Sequence, residues 1–145
     1  MIAVDTNLLV YAHRVEPPFH ADALACLSRL ASDPAPWAIP WPCLYEFLAV
    51  VTHPRIFVDP TPMPVAVEQL EAWLSCPYVV LLGEMEGQFP TTKAVLLQSR
   101  LRGPAVHDAR VAALCLAHDV DELWTADRDY SRFPSLRTRN PLVHP

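Results

Sequence analysis

Five of the sixteen acids in this chain stand where chemistry could use them. Asp5 closes the short apolar run MIAVD. Asp127 and Asp129 follow a second apolar run in LWTADRDY. Asp108 opens the periodic stretch HDARVAALCLAHD, and Glu46 lies between Tyr45 and Phe47 in WPCLYEFLAVVTH. Each placement has a plain structural use. Asp5 can cap a helix, Asp108 can sit favourably against a helix dipole, Asp127 and Asp129 can bond their own backbone in a turn, and Glu46 can be a solvated charge on an amphipathic face. Together they have another use. Carboxylates brought close repel and raise each other's pKa unless a cation lies among them. Their oxygens are the hard ligands that suit Mg²⁺ or Mn²⁺. Such an ion binds a phosphate oxygen, acidifies water and stabilises the leaving alkoxide of a phosphodiester.

The elements that must position these acids alternate between strand and helix. MIAVD predicts a first strand, and TNLLVYAH a helix capped by Thr6 or Asn7 and stopped at Pro17-Pro18. HADALACLSRLASD sets Leu24, Leu27 and Leu30 at helical spacing. A brief extended piece around Trp37–Ile39 precedes a helix with Pro42 in its first turn and Leu44, Phe47, Leu48 and Val51 as its apolar stripe. After a proline-rich loop, Pro64 opens a helix through VAVEQLEAWLSC. YVVLL, residues 78–82, predicts a strand closed by Gly83. Helices follow over about Thr91–Arg102 and in HDARVAALCLAHD, then a strand in ELWTAD and a short edge strand in PLVHP. This order implies an α/β three-layer sandwich, a small, mainly parallel sheet flanked by helices and joined by right-handed crossovers, in one domain spanning 1–145. Ligands of such sheets bind outside the carboxyl ends of the strands, the rim that Asp5 and Asp127 share.

Composition narrows the function classes. With 52% hydrophobic and 19% charged residues the chain can bury a core of its own. No apolar run is long enough to cross a bilayer, and the N-terminus enters a strand with no basic leader, which predicts a cytoplasmic protein. Cys26, Cys43, Cys76 and Cys115 lack metal-knot spacing and predict reduced, mostly buried thiols. A net charge of −5 argues against bulk electrostatic binding of nucleic acid. The cations are nevertheless uneven, with eight of eleven in residues 91–145, and ten of the eleven are Arg, whose fork suits phosphate.

AVDTNLLVYA at the start, Glu46 on the third helix and HDARVAALCLAHDVDELWTADRDYSRF near the end resemble the PIN-domain ribonucleases, and more narrowly the VapC toxins of bacterial VapBC toxin–antitoxin pairs. The resemblance spans essentially the whole chain. It implies a PIN-like fold and a metal-dependent endoribonuclease that uses Mg²⁺ or Mn²⁺ to cut single-stranded or looped RNA. It assigns Asp5, Glu46, Asp108 and Asp127 as catalytic metal ligands and Asp129 as a supporting acid at the metal. Thr6, Asn7 and Thr125 become the hydroxyl and amide groups that orient them. It further implies a homodimer and a VapB-like antitoxin whose C-terminal segment blocks the site.

Arg100, Arg102, Arg110, Arg128 and Arg132 are the candidates for RNA phosphate contacts, with solvated charge as the plain alternative. His107 is given no catalytic role. His13, His20, His53, His118 and His144 lack mutual ligand spacing and are expected at the surface or in caps. Trp37 and Trp41 fit either the core or an exposed partner patch, and the two prolines between and after them, Pro40 and Pro42, favour a loop at the surface. Two other readings compete: a binding-only scaffold of the same fold, and a receiver-type phosphotransfer domain, which needs a lysine at the rim where the only one in the chain is Lys93.

Overall fold

The computed structural model describes residues 1–143. Its strands are β1 (Ile2–Val4), β2 (Trp37–Pro40), β3 (Val79–Leu82), β4 (Glu122–Trp124) and β5 (Thr138–Arg139), and its helices are α1 (Thr6–His13), α2 (His20–Ser32), α3 (Trp41–Val51), α4 (Met63–Leu74), α5 (Phe89–Gln98) and α6 (Val106–Ala117). All strand pairs are parallel, in the order β3-β2-β1-β4-β5. The expected α/β architecture is therefore present, a parallel sheet flanked by six helices. The order has a direct consequence for function. From β1 the chain winds outward through β2 and β3, then returns to place β4 on the other side of β1. The switch point, where crossovers diverge and leave a crevice, lies between the carboxyl ends of β1 and β4.

Helix starts follow local chemistry. Asp5 caps α1 by accepting a bond from the Thr6 amide, while Pro42, Pro64 and Pro90 sit in the first turns of α3, α4 and α5, where a missing N–H costs nothing. Strand β2 runs into α3 with no intervening loop, so the backbone enters α3 directly from the rim. Two short 3₁₀ turns, Gly103–Ala105 before α6 and Arg128–Arg132 after β4, carry the chain around the site.

Several expectations need correction. Trp37 lies in β2 and is 1% exposed, not in a surface loop; it is part of the core, whereas Trp41 is partly exposed at the start of α3. Proline content misled there because Pro40 is itself the last residue of the strand, in register with Leu82, and Pro42 sits in the first turn of α3. Leu24 is exposed, and the buried stripe of α2 is Ala23, Cys26, Leu27 and Leu30. Helix α5 begins earlier and ends at Gln98, since Arg100 takes a positive φ of 49° that an α-helix cannot continue through. The edge strand is Thr138–Arg139 and not the PLVHP segment, whose Leu142 is buried; His144 lies outside the described residues. His13 is no surface residue: its ring bonds Thr61 and Gln69 and stands edge-on to Phe47. His118 is the C-cap of α6, a cap role as expected, and its ring also bonds the Gly83 carbonyl oxygen. Cys26, Cys43 and Cys115 are buried free thiols, as expected, and Cys76 is half-buried. No helix among the described residues is long and apolar enough to cross a membrane.

The contrast between the two tryptophans can be measured. Trp37→Ala should cost about 3–5 kcal/mol in urea unfolding by opening a core cavity, against about 1 kcal/mol or less for Trp41→Ala. Equal losses would show that Trp37 does not carry the core.

Candidate active site

Asp5 follows the last residue of β1, and its amide extends the sheet ladder by donating to the Trp124 carbonyl oxygen at 3.0 Å. The side chain is 4% exposed. A buried carboxylate needs donors, and it has them from four parts of the chain. The Thr6 amide reaches Oδ1 at 2.8 Å, while Asn7 Nδ2 and the Thr125 hydroxyl reach Oδ2 at 2.9 and 2.7 Å. The Cys43 thiol at 3.6 Å and the Tyr130 hydroxyl at 3.4 Å make longer, weaker contacts to Oδ1. Burial still outweighs these donors and raises the Asp5 pKa, with the Glu46 charge adding to the rise.

Thr125 and Asn7 join the two strand ends. Asn7 Nδ2 donates to Thr125 Oγ1 at 3.0 Å as well as to Asp5, and its Oδ1 accepts the Ala126 amide at 3.0 Å. Thr125 Oγ1 also accepts the Asp127 amide at 3.0 Å. Its hold on Asp127 thus runs through the backbone, while its hydroxyl proton goes to Asp5. Thr6 plays the matching part toward α3, its hydroxyl donating to Glu46 Oε2 at 2.8 Å. The three polar residues expected to orient the acids do contact them.

Asp5, Glu46, Asp108 and Asp127 all line one open cleft of about 410 Å³ at the switch point, together with Thr6 and Asn7; Val10, Tyr11 and Val50 supply apolar wall. Among the described residues no three His, Cys, Asp or Glu side chains stand close enough together to form a finished metal shell. The acids face one space without touching. Glu46 and Asp127 each commit one oxygen, to the Thr6 hydroxyl and to the Asp129 amide at 2.8 Å, and Asp108 commits neither. Desolvation pushes the Asp108 pKa up to about 6, followed by the charges of Asp127, Asp5, Glu46 and Asp129. This is the donor chemistry of a hard divalent cation: oxygens only, several anionic, in mutual repulsion that a cation relieves.

The other candidates lie apart. Asp129 is exposed outside this cleft, with Arg132 3.8 Å from its carboxylate. Arg110 is paired with Glu84. Arg100, Arg102 and Arg128 are exposed, and none lines the cleft. Lys93 is exposed on α5 and does not line it either, which removes the rim lysine that a phosphotransfer site requires. Sequence reasoning missed Tyr130 and Cys43, which contact the buried face of Asp5. Tyr130 could have been suspected from its place three residues after Asp127. Cys43, one turn before Glu46 on α3, gave no signal beyond its apolar surroundings.

The PIN domain family matches residues 2–136. A VapC ribonuclease of Mycobacterium bovis, Mb2897, is 37% identical over 142 residues, covering 98% of this chain and 96% of its own. Ribonuclease VapC48 of Mycobacterium tuberculosis is 35% identical over 138 residues, covering 95% of each. Among solved structures, VapBC2 of Rickettsia felis, bound to a DNA fragment from its promoter, matches with a TM-score of 0.69 at 22% identity, over 96% of this chain and 98% of that one; it shares the fold.

The desolvation and repulsion that raise Asp108 have a measurable sign. A carboxyl whose folded pKa is raised from 3.8 to about 6 holds its proton more tightly folded than unfolded. The stability it contributes is complete below about pH 4 and is lost as pH rises through about 6. Asp108→Asn, which cannot ionise, should therefore be more stable than the wild type at pH 7.5 without divalent ions, by about 1 kcal/mol after allowance for solvent screening, with the gap closing near pH 4. Urea titrations at the two pH values test this; a variant less stable at pH 7.5 would deny that burial and repulsion disfavour the charged form.

Proposed function

The chain belongs to the PIN-domain family, within its VapC ribonucleases, and from that premise we propose that it is a metal-dependent endoribonuclease, the growth-inhibiting toxin of a type II toxin–antitoxin pair. The observation that carries the reading is the meeting of Asp5, Glu46, Asp108 and Asp127 around one cleft at the β1/β4 switch point. They come from four places in the sequence up to 122 residues apart, and no common structural need would draw four acids together there.

The four carboxylates would hold Mg²⁺ or Mn²⁺, with Asp129 supporting them from the flank through the amide that fixes Asp127. The ion, when bound, supplies positive charge beside a phosphate oxygen and makes a neighbouring water more acidic. The protein's own part is positional. Asp5 is held from both oxygens and cannot rotate away. Thr6 fixes one oxygen of Glu46, and the Thr125–Asn7 pair locks the loop that carries Asp127 to the end of β1. The reaction is hydrolysis: a water oxygen bonds to phosphorus as the bond to the 3′ oxygen breaks in line, and that oxygen leaves with a proton. Acidic walls keep RNA out until the carboxylates are neutralised, so substrate binding is coupled to the cation.

The partners in this reading are an RNA substrate, a second copy of the chain in a homodimer, and a VapB-like antitoxin, in the cytoplasm. Identity of more than a third to VapC ribonucleases over nearly the whole chain supports the substrate, and the fold shared with VapBC2 supports the antitoxin. Exposed Arg100, Arg102 and Arg128, with Arg110 and Arg132, are the cations available for phosphates beyond the cleft.

With Mn²⁺ the purified protein should cleave single-stranded RNA, and Asp5→Asn should lower the rate by at least about a hundredfold, as should excess chelator. Identical cleavage by Asp5→Asn would end the nuclease reading and leave a binding-only scaffold. Thr125→Val, which removes the donor to Asp5 and the acceptor of the Asp127 amide, should weaken Mn²⁺ binding by about 10- to 100-fold in calorimetry. Unchanged affinity would show that this hydroxyl does not position the site.

A further inference from the structure

Past Glu46 and Asp108 the acid cleft opens into a second, larger groove of about 690 Å³, which both residues also line. Its walls come from α3 and from the start of α6, with Tyr45, His107 and Asp129 among them. Tyr45 is 68% exposed. Its ring lies beside that of Trp41, with centroids 6.2 Å apart and planes at 38°, and it lines the groove. Neither Tyr45 nor His107 has a side-chain hydrogen bond among the described residues. Tyr45 and Glu46 are consecutive on α3, so an aromatic platform and an acid of the cleft are rigidly joined by one stretch of helix. Asp129, placed with the cleft acids by sequence, lines this groove instead.

We propose that this groove is a subsite for an unpaired nucleobase next to the scissile phosphate, with Tyr45 as its stacking platform and Asp129 as the acceptor that reads an N–H on its edge. It rests on the nuclease reading of the adjoining cleft. Charge selects the occupant. With Glu46 and Asp108 turned to the cation and the scissile phosphate, a further phosphate would meet the carboxylate of Asp129, which has Arg132 at 3.8 Å, whereas a base is uncharged, carries N–H donors that carboxylates accept, and presents a π-face to an aromatic ring. A second copy of the chain seated here would bury the carboxylates of Glu46, Asp108 and Asp129, and Arg110, which also lines the groove, is already paired with Glu84. The base thus fits where a phosphate or a protein face fits poorly. Trp41 acts through Tyr45 as a positioning residue.

Two readouts on short single-stranded RNAs test the subsite. The first is fluorescence of 2-aminopurine placed on either side of the cleavage site, with Ca²⁺ in place of Mn²⁺. The second is kcat/KM for cleavage with Mn²⁺. At one of the two positions the wild type should quench the probe. Tyr45→Ala should lose the quenching and about tenfold in kcat/KM, and Tyr45→Phe should keep both. An abasic nucleotide at that position should bring the wild type down to Tyr45→Ala and leave the variant unchanged. Asp129→Asn should alter which base is preferred there. Tyr45→Ala that cleaves and quenches like the wild type overturns the subsite and leaves the nuclease reading intact. Quenching that depends on Tyr45 in a protein that cuts no RNA upholds the subsite and removes the nuclease. Neither quenching nor cleavage by the wild type removes both. Unchanged quenching with a dimer-to-monomer shift of Tyr45→Ala in gel filtration assigns the groove to a second copy and overturns the proposal.

Discussion

A carboxylate at the carboxyl end of the central strand, almost wholly out of water, sets the terms for everything around it. Burying an anion is expensive unless donors replace the lost water, and the groups that replace it for Asp5 are spread over α1, α3, the segment after β4 and the 3₁₀ turn that follows. Satisfying one side chain therefore requires β1 and β4 to be adjacent, α1 to start at once and α3 to pack beside it. The same bonds that make the acid tolerable fix its direction. Even so, burial keeps its pKa raised, so the site holds an unmet demand for positive charge.

That demand is shared by the wall opposite. Asp108 has no hydrogen bond to another side chain among the described residues; its partial burial first, and then the charges of four other acids, keep its proton until about pH 6. Glu46 and Asp127 are each tethered by one oxygen and free by the other. A cleft built in this way trades some stability for the capacity to bind a cation, the usual balance of a functional site. It also separates duties by charge. Phosphate can approach only where the cation neutralises the acids, and the adjoining groove, aromatic and acidic, is left for uncharged parts of a nucleotide.

Much of this could be read from the residues in order. Alternation of strand and helix predicted the parallel sheet, and the acids at strand ends and helix starts were the ones that line the cleft. Periodicity misjudged details that depend on a neighbour in space. Leu24 has the same spacing on α2 as Leu27 and Leu30 yet faces out. The extended piece at Trp37 was legible, but nearby prolines favoured a surface position for a residue that lies in the core. His13 and His118 sit at helix ends, as expected, but their bonds to distant segments had no local signal. In each case the deciding partner lies at least 35 residues away or on another element.

Residue type and local order by themselves determined that this chain forms alternating strands and helices, about where most of them lie, and that its acids cluster at their ends, because capping, periodicity and proline geometry act over a few residues. Only the tertiary structure decided which acids share a space. It placed Asp129 in the neighbouring groove and brought Tyr130 and Cys43 to Asp5. The physical reason is that strand order and helix rotation are set by packing and by the satisfaction of buried polar groups across the whole molecule, and neither is a property of any local stretch.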